Sequence, residues 1–380
     1  MKITAIHAHP LRAKLDTTYW VGNHAFSEAS LIVVKVDTDQ GISGLATLHG
    51  GSQKTACEML HALNDVVVGM DPLAHEDVWS TVFGVSTAVP DPTRPQVNKL
   101  LSAKDHRASL MRALAGIDIA LWDIKGKVVG LPVWRLLGGK RRTVPAYVTG
   151  GYYQANRDNS GFGGELAGYV EAGYSAVKIK IGGLPIETEA KRIAAARKEL
   201  GPDCRLMLDG NGAYALPDAE RAIAAFEQYD IAWFEEPLHW YDPVRALGKL
   251  ATRTHVPIAS GESELHAWAC RDLIDLGGVR IMQFDATRSG GVTEWLRVAA
   301  YCQLHGVVMS THHEPHIQCH LSAAVANGGI AETFPNAKRD PFWEALYTER
   351  AEIKKGQVLL NDKPGFGFDI DWGAVRKFAA

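Results

Sequence analysis

Cysteine is scarce in this 380-residue chain, and what is missing narrows the function. The five cysteines, Cys57, Cys204, Cys270, Cys302 and Cys319, are odd in number and contain no CxxC pair. That argues against a disulfide framework and for reduced, mostly buried thiols in a cytoplasmic protein. No run of about 18 apolar residues is present to span a membrane. The opening MKITAIHAHPLRAKL has no apolar stretch of signal-peptide length. A net charge of −3 without a basic block gives no footprint for nucleic acid or an anionic membrane. There is no HExxH and no serine nucleophile elbow. The GFGG at 161–164 is followed by no Lys-Ser/Thr pair, so it is no phosphate loop. What remains is an ordinary globular composition, 46% hydrophobic and 22% charged, in a length that suits two domains.

The first 110 residues and the middle differ in texture. ASLIVVKVDTDQGISGLATL (29–48) holds two β-rich runs around DTDQG, which predicts a hairpin. Helical spacing follows near 52–69 and 74–84. Residues 85–105 are punctuated by proline and read as loop, and 109–130 is a helix that stops at glycine. From about residue 144 the pattern becomes periodic. Apolar runs (AVKIKIG, CRLMLDGN, IAWFEEP, VPIASGE, VRIMQFD, GVVMSTH, GGIAE) alternate with amphipathic segments such as DAERAIAAFEQY. Strand–helix alternation implies parallel βαβ units, and seven or eight in succession favour a closed β/α barrel.

Each run closes on a polar residue: Lys180, Asp209, Glu235, Glu262, Asp285, His312 and Glu332, separated by 20 to 29 residues. They fall once per unit at the C-terminal strand ends, where barrels carry their chemistry. Period-two parity chooses Glu235 over Glu236 for the interior, and it groups Met207 with Asp209 and Asn211, and Ile258 with Ser260 and Glu262. Asp209, Glu235 and Glu262 form an all-oxygen set that suits Mg²⁺, although acidic residues also end strands as helix caps. Lys178 and Lys180 share a strand face. Burial and the neighbouring cation are expected to lower the pKa of the pair until one amine serves as a base. Salt bridges to the nearby carboxylates are the plain alternative. Asp285 behind His312 would fix the tautomer of a second acid/base. THHEPHIQCH (311–320) raises a zinc site, but His313, His316 and His320 read better as packing, rim or substrate-contacting residues.

VKIKIG, LDGN, WFEEP, SGE, FDATRSGG and STH, in this order, resemble the enolase superfamily, mandelate racemase subgroup. GIDIALWDIKGKVVGLPVWRLLGG (116–139) and KPGFGFDID (363–371) add to the likeness, which covers nearly the whole chain. The resemblance implies a modified (β/α)7β TIM-like barrel at 126–354 under an α+β capping domain, 1–125 completed by about 355–380. It implies one Mg²⁺ per subunit on Asp209, Glu235 and Glu262. Lys180 would be the base on one face of the substrate, with Lys178 beside it, and His312 with Asp285 the acid/base on the other. Glu332 would bond the substrate carboxylate, and Asn211 would contact substrate. The implied chemistry is abstraction of the proton α to a carboxylate through an enediolate. Donors in the lid segment LDTTYWVGNHAFSE (15–28), among them Tyr19, Trp20, Asn23 and His24, suit a polyol and favour acid-sugar dehydration. Racemisation of a 2-hydroxy acid, lactone cycloisomerisation and a non-catalytic binding protein remain alternatives. The expected partner is a small carboxylate, and the expected assembly a homo-oligomer.

Overall fold

Three long antiparallel strands begin the chain: β1 (Ile3–Val21), β2 (His24–Thr38) and β3 (Ser43–His49), in the order β1-β2-β3. The DTDQG turn joins β2 to β3, with Val36 opposite Gly44 and Leu31 opposite His49. The computed structural model describes residues 1–22, 24–87, 99–155, 159–241 and 243–380. The helix Ala103–Val129 packs across this sheet, with Ala120 and Ile124 against Gly44 and Gly116 against Val34 and Leu48. Helix His75–Thr87 overruns the expected end, and most of the proline-rich stretch, 88–98, lies outside the described residues.

Eight parallel strands follow: β4 (Thr143–Gly150), β5 (Ala176–Lys180), β6 (Arg205–Asp209), β7 (Ile231–Glu235), β8 (Ile258–Ser260), β9 (Ile281–Met282), β10 (Val308–Met309) and β11 (Ala331–Thr333). Successive members pair from β4 to β10. β11 returns to pair with β4, Glu332 opposite Tyr147, and a Met309–Gly328 bridge ties β10 toward β11. Among the described residues one α-helix follows each of the first seven strands, which makes a (β/α)7β barrel. Tyr147, Ala176, Met207, Trp233, Ala259 and Ile330 fill its interior below the strand ends. β4 is the strand that no apolar run announced, because TVPAYVTG mixes polar residues and a proline into its register.

Asp123 joins three parts of the chain. Its carboxylate is buried and accepts from Leu45 N (2.9 Å) on β3 and from Phe366 N (2.9 Å) in the C-terminal tail, with Lys127 Nζ at 2.6 Å. Gly126, one turn on, lets the tail approach: a Cβ there would sit 2.7 Å from Gly365 Cα. The tail then reaches the first sheet, where Ala380 N donates to Pro10 O (2.9 Å). Tail, helix and first sheet are thus one packing unit. Among the described residues no helix is long and apolar enough to cross a membrane. Asp123→Ala strands two buried amide donors and removes the partner charge of Lys127, so we expect a loss of about 2–4 kcal/mol in urea unfolding. A midpoint within error of wild type would contradict the assignment.

Candidate active site

The strand ends bring the ring of ionisable residues together. Lys178 and Lys180 from β5, Asp209 from β6, Glu235 from β7, Glu262 after β8, Asp285 after β9, His312 after β10 and Glu332 from β11 are all buried. One carboxylate oxygen each of Asp209, Glu235 and Glu262 lies within 4.8 Å of the others. Oxygen-only donors packed this closely in a buried setting fit a small hard cation such as Mg²⁺. Lys180 Nζ is 2.5 Å from Asp209 Oδ2, while Lys178 Nζ contacts Glu235 and lies 2.9 Å from Glu332. Gln283 Nε2 (3.0 Å) and Trp233 Nε1 (2.9 Å) also donate to Glu235. On the far side of the acidic arc, His312 Nδ1 is 2.8 Å from Asp285 Oδ2 and its Nε2 is 3.3 Å from Glu262.

One expectation about the lysines is overturned. Burial pulls both ammoniums down, and Lys178 pulls Lys180 down further, yet both pKa values lie above the ordinary lysine value. The reason is proximity: for Lys180 the dominant opposing charge is Asp209, for Lys178 it is Glu235 and Glu332. The salt-bridged alternative therefore describes how the chain's own charges pair. Glu332 is likewise ionised. Burial would raise its pKa, but Lys178 and His312 hold it well below the carboxylate range. Its oxygens accept from Thr149 Oγ1 (2.5 Å) and His313 N (2.9 Å). Glu235 shows the opposite balance. Its burial and the carboxylates of Asp209, Glu332 and Glu262 outweigh Lys178 and raise its pKa. His312 is raised to about 9, because Glu262, Asp285 and Glu332 outweigh its burial.

Parity fails at one place, and Gly261 is the cause. On β8 it is Ala259 that joins the barrel interior, so Ile258 and Ser260 face the helices. Gly261 then adopts φ +122°, where any Cβ would lie 2.5 Å from Met282 Sδ, and this turn swings Glu262 inward. Glu236, the unchosen acid, is buried too. It accepts from Ser260 Oγ (2.8 Å) and Gly261 N (3.2 Å) beside Glu262, and is not one of the three acids whose oxygens cluster.

Asn211 follows the arc with φ +43°, its N–H on Asp209 Oδ1 (2.9 Å) and its buried Oδ1 without a partner. The lid segment is the tip of the β1–β2 hairpin. Tyr19 packs in an apolar cluster with Leu15 and Tyr152, and Trp20 exchanges backbone hydrogen bonds with Tyr153 (3.0 and 3.3 Å). His24 is exposed and stacks near Trp240, and Asn23 lies outside the described residues. Tyr152 connects the tip to the arc, its ring centroid 5.7 Å from Lys180 Nζ.

Sequence reading missed His49, at the end of β3. Its ring lies 4.0 Å from that of His313 in a stacked pair, and its Nε2 is 3.7 Å from Asp285 Oδ2. His49, His312 and His313 could together approach a metal by distance. Parallel stacking, however, turns the in-plane lone pairs of His49 and His313 alongside each other instead of onto one point, which disfavours zinc. His316 and His320 lie elsewhere. His316 meets Thr47 Oγ1 (2.9 Å) and Tyr347 Oη (3.2 Å), and His320 Nδ1 accepts from Trp134 N (3.2 Å). Gln283 was legible in principle, two residues before Asp285 on the same face. His49 was not, because only the tertiary fold brings β3 to the barrel mouth.

The His312 environment carries a pH prediction. A histidine whose folded pKa is raised stabilises the fold fully below its unfolded value near 6.5, and that contribution is lost as pH rises through about 9. In chelator-treated protein, the His312 ring should titrate near pH 9 by NMR, and Asp285→Asn should move the midpoint down. A midpoint near 6.5 in both proteins would contradict the geometry.

Residues 3–138 match the family described as mandelate racemase / muconate lactonizing enzyme, N-terminal domain, and residues 162–374 match enolase C-terminal domain-like. D-galactarolactone cycloisomerase of Agrobacterium fabrum is 31% identical, over 100% of this chain and 99% of its own. D-galactonate dehydratase of Ralstonia pickettii is 30% identical, over 90% and 89%. The crystal structure of a mandelate racemase/muconate lactonizing enzyme from a marine actinobacterium, in complex with magnesium, superposes with a TM-score of 0.86. It shares 32% identity and covers 100% of this chain and 99% of its own. Cap, barrel, matched segments and full-length relatives agree: the chain belongs to the enolase superfamily, in the mandelate racemase group.

Proposed function

We propose that this chain is a Mg²⁺-dependent dehydratase of an acid sugar, aldonic or aldaric. It removes the proton α to the carboxylate and releases the β-hydroxyl as water, giving a 2-keto-3-deoxy acid by way of an enediolate. The observation that carries the reading is the arc of Asp209, Glu235 and Glu262, oxygens within 4.8 Å of one another, with Lys180 at one end and His312 across the barrel. Those three carboxylates would hold the ion. Bound Mg²⁺ supplies Lewis-acid stabilisation of the charge that builds on the substrate carboxylate.

Lys180 takes the α proton on one face of the substrate. It must first lose its own proton, and Asp209 would hold the ammonium less firmly with its charge shared with a bound cation. Lys178 then remains as the nearby positive charge that favours the neutral amine. His312, with Asp285 on Nδ1, presents Nε2–H and protonates the departing hydroxyl. Glu332, anchored by Thr149 and the His313 amide, orients the substrate carboxylate end together with Lys178. The unpartnered Oδ1 of Asn211 accepts from a substrate hydroxyl, and Tyr19, Trp20 and His24 shape the lid above it. The cap, 1–125 with about 355–380, closes over the barrel of 126–354. Five unpaired cysteines support a cytoplasmic location, and we take the assembly to be a homo-oligomer.

The similarity to D-galactarolactone cycloisomerase over the whole chain favours a second reading, cycloisomerisation of an acid-sugar lactone by the same residues. Racemisation would need only that His312 return the proton to the opposite face. A panel of acid sugars and their lactones with Mg²⁺, assayed for 2-keto-3-deoxy product, separates these outcomes. We expect dehydration of at least one member. Turnover of none, with deuterium exchange confined to simple or aromatic 2-hydroxy acids, would argue for the racemase.

Lys180→Met and His312→Asn should each lower kcat by about 10²–10⁴, and full activity in either variant would overturn the roles of these two residues. Mg²⁺ must displace any proton that the raised pKa of Glu235 retains. Affinity by calorimetry should therefore rise with pH, by at most about tenfold per unit for one displaced proton. Glu235→Gln should remove that dependence together with most of the affinity.

A further inference from the structure

Between the hairpin tip and the barrel mouth sits a cation that the reaction above does not use. Arg339 is half-buried in the segment between β11 and the helix Pro341–Ala345. Its Cζ lies 4.7 Å from the ring of Phe26 on the hairpin, 5.2 Å from Tyr152 after β4 and 5.0 Å from Phe334 after β11. A tight turn fixes the backbone beneath it: Asn336 O accepts from Arg339 N (2.8 Å) and Asp340 N (2.9 Å), and Asn336 Oδ1 from Lys338 N (3.0 Å). Asp340, the neighbouring acid, is committed to capping the next helix at Trp343 N (3.3 Å). Arg339 makes no ion pair among the described residues, and its buried Nε has no hydrogen-bond partner. The guanidinium reaches the Tyr152 hydroxyl as a polar neighbour.

The placement relates this cation to the reacting centre. Tyr152, whose ring receives Arg339, receives Lys180 Nζ at 5.7 Å as well. Phe334, a second ring under Arg339, stacks at 4.2 Å on His313, the residue after His312. The cation is therefore one aromatic ring, Tyr152, away from Lys180, and two rings, Phe334 and His313, away from His312. Aromatic faces hold a guanidinium by its plane and leave its N–H edge free. That edge is a planar fork whose natural partner is a carboxylate, bound through two parallel hydrogen bonds. A half-buried, permanently charged group whose Nε has no partner, which makes no ion pair among the described residues and has the Tyr152 hydroxyl and Asp340 as its polar company, is suited to receive an anion from outside the chain.

We infer that Arg339 binds the second carboxylate of an aldaric acid, making this chain selective for acid-sugar diacids over the matching monoacids. The inference rests on the reading that Lys180, His312 and the acidic arc act on the first carboxylate. The hairpin gains a role as well, because Phe26 lies on Arg339 and the tip so holds the cation in place over the bound diacid.

Binding tests it without relying on turnover. Mg²⁺-loaded protein carrying Lys180→Met is titrated with a six-carbon aldarate and the aldonate of matching configuration. The same is done with Arg339→Gln or Arg339→Lys added. We expect the aldarate to bind at least about tenfold tighter than the aldonate, the worth of one charge-assisted contact at a half-buried site. Arg339→Gln should abolish the preference by weakening the aldarate alone, and Arg339→Lys should keep part of it. Absence of a preference, its survival in Arg339→Gln, or equal weakening of both acids in that variant would each overturn the inference. The last result would make the residue a staple of the hairpin only. Equal binding of both acids by a chain whose wild type dehydrates them removes this inference and leaves the proposed function standing. Binding of neither acid removes both.

Discussion

Like charges crowd the mouth of this barrel, and the rest of the structure answers to that crowding. Three carboxylates present oxygens within 4.8 Å of one another in a buried site. Each uncompensated charge there carries a desolvation penalty of several kcal/mol, and mutual repulsion adds to it. Positive charge must come from somewhere. Within the chain Lys178 and Lys180 supply it, and their carboxylate neighbours raise both pKa values against their own burial. Asp209, Glu235 and Glu262 would hold a divalent ion that serves the same need, and Asp209 would then hold Lys180 less firmly. The acids and the lysines are therefore one electrostatic system, and the base is readied by whatever sits on the carboxylates.

Fold and site were legible in the sequence to different depths. The barrel was readable because every βα unit repeats one plan: an apolar run, a closing polar residue, an amphipathic segment. Period-two parity placed Lys178 with Lys180 and Asp209 with Met207, since a regular strand enforces alternation, and the same rule left unused would have paired Gln283 with Asp285. It failed on β8 because Gly261 leaves the strand conformation one residue early, and no alternation rule anticipates that turn. β4 escaped notice because its inner face is Tyr147 and Thr149, residues that do not look like a buried strand by composition. His49 and Arg339 escaped for a tertiary reason. One belongs to the first sheet and the other to a turn after the last strand, and only closure of the whole molecule brings them to the site.

That closure depends on residues whose motifs resemble a signature of function but whose work is structural. Asp123, Gly126 and the Gly365–Phe366 turn tie the long helix, the first sheet and the tail together. With the sheet fixed, the β1–β2 hairpin projects over the strand ends, and Trp20 pairs with Tyr153 to hold it there. Packing far from the chemistry thus decides where Tyr19, Phe26 and His49 stand relative to Lys180 and His312.

The central claim is that Lys180 takes a proton from the carbon next to a carboxylate and that His312 acts after it. Solvent deuterium exchange separates the two steps. In D₂O with Mg²⁺ and an acid sugar that the wild type dehydrates, His312→Asn should place deuterium at C2 without releasing water, and adding Lys180→Met should stop the exchange. Exchange that persists in the doubly substituted protein, or its absence when only His312 is replaced, would contradict the account.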